Sequence, residues 1–113
     1  MHAFEIPGLR FSLPAGAAVK RATFVSVNAD SQGVTATAST EVIGVAMNQC
    51  DKADEVLEIA DGIVMVVAGG AITAGSAVAS NATGQATTAS DAGCGIALTG
   101  ASKAGEFVTV KLS

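Results

Sequence analysis

Gly44-Val45-Ala46-Met47-Asn48-Gln49-Cys50-Asp51-Lys52-Ala53-Asp54-Glu55-Val56 and Gly95-Ile96-Ala97-Leu98-Thr99-Gly100-Ala101-Ser102-Lys103-Ala104-Gly105-Glu106-Phe107 decide the reading of this chain. Gly, Ala, Lys, Ala and Glu recur in step, and Val/Ile, Met/Leu and Val/Phe are conservative partners. Upstream, Leu13-Pro14-Ala15-Gly16-Ala17-Ala18-Val19 echoes Ile72-Thr73-Ala74-Gly75-Ser76-Ala77-Val78. Both halves read as an Ala-Gly-x-Ala-Val corner, a polar hairpin, a Gly-apolar strand, a Lys-Ala-x-Glu turn and a last strand. The expectation is two similar β units, roughly residues 15–60 and 71–112, packed about a pseudo-two-fold axis. Each is too small to bury its apolar face alone.

Outward from the repeat, the texture is all-β. Thr23–Asn28 and Val34–Ala38 alternate with period 2, and Val42–Met47, Glu55–Ala60, Gly62–Val67, Gly95–Leu98 and Glu106–Leu112 read as strands. Turn clusters stand at Asp30–Gly33, Asp61-Gly62, Gly69-Gly70, Asn81–Gly84 and Asp91-Ala92-Gly93. The spacing predicts a small barrel-like or sandwich domain over residues 15–113, with room for one helical turn in 48–54. Residues 1–14 hold both prolines and two of the four phenylalanines and read as an extended N-terminal arm. That arm either covers its own domain or crosses to another subunit.

Composition narrows the function. The chain has 113 residues, one domain's worth, and is half apolar with 14% charged residues. Its core material is small, with no Trp and no Tyr, which points to burial shared with neighbouring subunits. The net charge is −4, and six scattered basic residues form no stripe, so neither nucleic acid nor membrane is an expected partner. The start of the chain carries no secretory signal, so folding in a cytoplasm with Cys50 and Cys94 reduced is expected.

Catalytic material is absent from the pattern. His2 is the single histidine, beside the initiator, so no histidine triad or multi-histidine metal site can be built. Cys50 has no downstream histidine to activate it. Asp51, Asp54, Glu55, Glu58 and Asp61 cluster without calcium-loop spacing and read as a solvated turn and strand face. Gly69-Gly70 and Gly93-Cys94-Gly95 open no helix and cradle no phosphate. No enzyme, cofactor or metal is expected. Cys50-Asp51-Lys52-Ala53 resembles the Asp-Lys-Ala hairpin of lipoyl and biotinyl carrier domains. That alternative makes Lys52 the attachment residue, yet the repeat explains Lys52 and Lys103 together.

The corner, Val42-Ile43-Gly44-Val45-Ala46, Gly62-Ile63-Val64, Gly69–Val78, Asn81–Ala86, Gly95–Leu98 and Ala104–Val110, in that order, resemble the capsid cement, or head decoration, proteins of tailed bacteriophages over residues 13–112. That resemblance implies a structural protein on the outside of the mature virion head, made in the host bacterial cytoplasm. It binds the major capsid protein and itself, as a homotrimer bridging capsomers against the pressure of packaged DNA. Phe4, Ile6, Leu9 and Phe11, the apolar residues of the arm, are the expected capsid or subunit anchors. An oligomeric module of a fibre or secreted assembly is a further reading.

Overall fold

A computed structural model describes residues 2–90 and 93–113. The strands are β1 (Ile6–Pro14), β2 (Phe24–Val27), β3 (Gly33–Thr35), β4 (Gly44–Ala46), β5 (Val56–Val67), β6 (Ala77–Ser80), β7 (Ala86–Thr88), β8 (Gly95–Ala97) and β9 (Phe107–Leu112). They form one curled antiparallel sheet in the order β3-β2-β4-β5-β9-β8-β6-β7, with β1 added on β5. The all-β expectation holds. The one helical element among the described residues is a 3-10 turn at Ser39–Glu41, and 48–54 holds turns and a bridge in place of a helical turn. Asp91 and Ala92, read as part of a turn, lie outside the described residues.

The structure changes the reading of β5 and of the arm. Asp61-Gly62 is not a turn: β5 runs straight through it for 12 residues. Gly62 takes φ +108 beside a register shift in β1 between Pro7 and Leu9, and a Cβ on it would lie 2.7 Å from the Gly8 nitrogen. The bend is absorbed by that bulge, and the chain continues. Residues 6–14, read as an arm, form β1, paired from Ile6↔Ile63 to Pro14↔Val56.

The two halves repeat bond for bond. Pro14↔Val56, Leu13↔Leu57, Phe11↔Ile59 and Arg10↔Ala60 in the first unit answer Val67↔Phe107, Val66↔Val108, Val64↔Val110 and Ile63↔Lys111 in the second. Ala15 bridges Gly33, and Ala68 bridges Ala86. Val19 and Cys50 exchange two 2.9 Å bonds, as do Ile72 and Ala101. The equivalent of the Ala15–Val19 corner is therefore 68–72, not 74–78. The Ala-Gly phrase at 74–75 answers Arg21-Ala22, where Ala22 and Gly75 share a positive φ.

Thus β5 is shared. Its first half closes the unit of residues 6–61, and its second half opens that of 62–112. A two-fold axis would lay β9 end to end with β1, as the halves of β5 lie end to end. Instead Ile63 pairs with Ile6 on one edge and Lys111 on the other. The units are stepped by one strand, and this corrects the pseudo-two-fold expectation to a head-to-tail tandem.

Cores follow from this arrangement. Val19, Val25, Cys50, Leu57 and Ile59 fill the first unit, with Phe11, Leu13 and Ile43 packed against them. Val64, Val66, Ile72, Val78, Val108 and Val110 fill the second. Phe24, Val45 and Ala60, on the outer face of the first unit, are buried in this same second core.

The recurring motif residues are backbone requirements. A Cβ on Gly44 would lie 2.6 Å from the Ala60 carbonyl oxygen, and one on Gly95 2.5 Å from that of Lys111. Position 54 is Asp at φ +72, and its equivalent Gly105 sits at φ +92 with open space around it. An L side chain there costs about 1 kcal/mol of backbone strain. Gly105→Ala is expected to destabilise by about 1 kcal/mol and Asp54→Gly to stabilise by up to about 1 kcal/mol. Urea midpoints measured at constant m-value check both.

Candidate functional site

The sheet brings apolar side chains together on one surface. Residues directly paired across antiparallel strands share a face. Ile6 on β1, Ile63 on β5, Lys111 on β9, Ile96 on β8 and Ala77 on β6 form one continuous cross-strand row. Leu9, opposite Asp61, lies on the same face, as does Met65, opposite Thr109. Phe107 lies four residues before Lys111 on β9, and Leu98, just past β8 and two residues after Ile96, still donates its N–H to the Thr109 carbonyl at 2.7 Å. Relative exposure is 61% for Ile6, 59% for Leu9, 46% for Ile96, 43% for Phe107 and 38% for Leu98. Among the described residues, five of the seven exposed large hydrophobic side chains thus stand on one side of one sheet. An apolar face of this kind marks an interaction surface.

The four sequence-predicted anchors divide. Ile6 and Leu9 are exposed on this face. Phe11 turns inward and packs against the first core. Phe4 is half-buried over β9: its N–H donates to Thr109 Oγ1 at 2.6 Å, and that hydroxyl donates back to the Phe4 carbonyl at 2.7 Å. A 3.9 Å ion pair between Arg21 and the half-buried Glu5 adds little, since Arg21 faces water. Ile96, Leu98 and Phe107 escaped the sequence reading, although Phe107–Lys111 has apolar residues on both faces where a half-solvated strand would alternate.

Reactive groups are held quiet. Burial pushes the Cys50 thiol up, and the carboxylates of Glu55 and Asp51 push it further; burial also raises Cys94. Both thiols are free and buried. No group of His, Cys, Asp and Glu among the described residues could hold a metal. An open cleft of about 430 Å³ is lined by Lys20, Thr23, Gln49, Asp51, Thr83 and Gln85 among others, a set with no activated nucleophile. Lys52 stands in the exposed turn that folds over Glu55: its N–H and that of Asp51 donate to Glu55 Oε1. In the equivalent turn Ser102 N–H and Oγ donate to Glu106. The acidic residue at the end of each Lys-Ala-x-Glu turn is thus a clamp on the turn's backbone.

A match to the phage cement protein family spans residues 52–112, more than half of the chain. The chain belongs to the phage cement protein family. Its fold is similar to that of the head fiber gp8.5 N base of bacteriophage phi29, with a TM-score of 0.77 at 22% identity, covering 93% of each chain. No curated protein matches it. This is a structural phage head protein, and Lys52 lies inside the cement family match, in the turn that recurs at Lys103.

The Ser102 bonds lower the Glu106 carboxyl below its usual range. A carboxylate with a depressed folded-state pKa stabilises the fold above its unfolded pKa, and that contribution is lost as pH falls through the folded pKa. Glu106→Gln is therefore expected to lower Tm at neutral pH. The gap to wild type should close as pH drops below the ordinary glutamate range. Melts across that range check it, and a gap independent of pH would contradict it.

Proposed function

We propose that this cement protein binds the outside of the mature head, contacts the major capsid protein, bridges capsomers as a homotrimer and stiffens the shell against packaged DNA. In this reading it is made in the host cytoplasm and joins the virion from outside. The observation that carries the reading is the exposed apolar face that begins with Ile6 and Leu9 on β1, on a protein otherwise built of small side chains.

Ile6 and Leu9 are the capsid anchors in this proposal, with Phe4 and Phe11 holding β1 and its leading residues in place. A trimer contacting several capsomers converts modest contacts into lasting attachment through effective concentration. Each contact then needs only a standard interface of roughly 800 Å² per partner.

Removing β1 outright would unfold the first unit, because Phe11 and Leu13 pack against its core. The informative variant is Ile6→Asp with Leu9→Asp, since both side chains are exposed. Its Tm should match wild type, while retention on heads in co-sedimentation falls about thirtyfold or more, the loss of about one to two kcal/mol at each of two anchors. Unchanged retention would remove these residues from the contact. Sites that bridge capsomers form only when the lattice reaches its final spacing, so binding to expanded heads is expected to exceed binding to procapsids clearly. Equal binding to both forms would count against bridging.

A further inference from the structure

We propose that the outer face of the second unit is a docking site for a second copy of this chain, which lays its β2–β3 hairpin, residues 28–32, across it. The inference rests on the decoration reading above and names the geometry of its self-association.

The contact already exists once inside the chain. On the first unit, Thr23, Phe24, Val45 and Ala60 are buried. The β6–β7 hairpin of the second unit lies against this region. Gly84 accepts the Phe24 N–H at 2.8 Å, and a Cβ on Gly84 would sit 2.8 Å from Thr35 Cγ2 and 3.2 Å from Thr23 Cβ. Ser80 N–H donates to Ser39 Oγ at 2.9 Å, and Val67 N–H to the Ala22 carbonyl at 2.8 Å. The second unit carries the equivalent positions as Ser76, Ala77, Ile96 and Lys111. There Ser76 and Ala77 are only half-buried, Ile96 is 46% exposed, and Lys111 is exposed. Thr88, the equivalent of Thr35, is exposed as well.

The other side of the contact is also present and unoccupied. The β2–β3 hairpin has the same build as the β6–β7 hairpin. Asn28 N–H donates to the Gln32 carbonyl at 3.0 Å, as Asn81 N–H does to that of Gln85 at 3.0 Å. Asn28 Oδ1 accepts from Gln32 N–H at 2.9 Å, as Asn81 Oδ1 does from Gln85 N–H. Ser31 at φ +60 stands where Gly84 has φ +74. Ala82 and Thr83 are exposed like their counterparts Ala29 and Asp30, yet Gly84 is buried where Ser31 is exposed, and Ser80 is half-buried where Val27 is 46% exposed.

Charge agrees with the pairing. The free hairpin carries Asp30 where the occupied one has Thr83, and the free face carries Lys111 where the occupied one has Ala60. Asp30 and Lys111 thus put opposite charges on the two unpaired surfaces, as Lys20 and Asp51 line the cleft beside Ala82 and Thr83 of the paired hairpin. Since hairpin and face are different surfaces, the contact is head-to-tail, and copies joined this way close into a ring or run on as a filament.

Light scattering on Val27→Asp, Ile96→Asp and wild type tests the proposal, with thermal melts confirming that both exposed sites tolerate the change. Wild type at high micromolar concentration is expected to be multimeric, and each variant alone monomeric. An equimolar mixture of the two variants should form a dimer, because one supplies an intact hairpin and the other an intact face. A monomeric wild type, an unaltered multimer in either variant, or a mixture that stays monomeric would overturn the proposal. Should either variant fail to fold, Ser31→Cys mixed with Thr88→Cys takes its place: a disulfide dimer in the mixture alone supports the contact, and none in the mixture refutes it. Head retention is read separately on Ile6→Asp/Leu9→Asp. A wild type that stays monomeric yet is retained on heads therefore sinks this inference and leaves the decoration reading standing, and a multimeric wild type that heads do not retain does the opposite.

Discussion

Strand β5 gives one face to each unit, and the whole molecule hangs on that division. Leu57 and Ile59 point into the first core, while Ala60, Val64 and Val66 point into the second. This works only because side chains alternate strictly along a strand, so a slip of one residue would send each set to the wrong core. The strand must also stay continuous where the duty passes from one unit to the other. Asp61 Oδ1 accepts the Gly62 N–H at 2.8 Å, and the glycine takes a conformation closed to other residues while β1 bulges opposite at Gly8. Glycine here serves close approach of two strands, the opposite of the chain reversal that the Asp-Gly pair suggests.

What was legible in the sequence follows from this physics. The Gly-apolar-Ala strands and the Glu that ends each turn recur because the backbone demands them: a Cβ would strike a carbonyl, and a carboxylate must hold free N–H groups. Such demands survive divergence and can be read by spacing alone. The corner was misaligned because Ala-Gly phrases are common in this chain, and what distinguishes the true pair is the sign of φ at Ala22 and Gly75, which residue type hides when one of the two is alanine. The short strands β6 and β7 were missed for a related reason. Alanine, serine and threonine carry too little hydrophobic contrast to show a period over three or four residues.

The candidate site was half legible. The apolar residues before Pro14 stood out against a chain poor in large side chains, but composition could not say which would turn inward. The pairing of β1 with β5 settles that: Phe11 opposite Ile59 falls inside the curl, and Ile6 opposite Ile63 falls beyond it. Ile96 and Leu98 hid in a strand that looked like its counterpart at Val45 and Met47. Equal sequence at the two sites led to unequal burial because only the first site has another unit following it.

That inequality is the consequence of tandem stepping. Two halves related by a two-fold axis bury matching faces against each other and leave no remainder. Units stepped by one strand always leave two surfaces over, one at each end, and they are of different kinds. A chain with four phenylalanines and no tryptophan or tyrosine has few large side chains to spare. Leaving Ile6, Leu9, Ile96, Leu98 and Phe107 exposed on one face costs solubility unless something covers them. In the proposed assembly, head lattice covers this face at one end and neighbouring copies cover it at the other. The repeat that builds the monomer is then also the source of the proposed contact between copies.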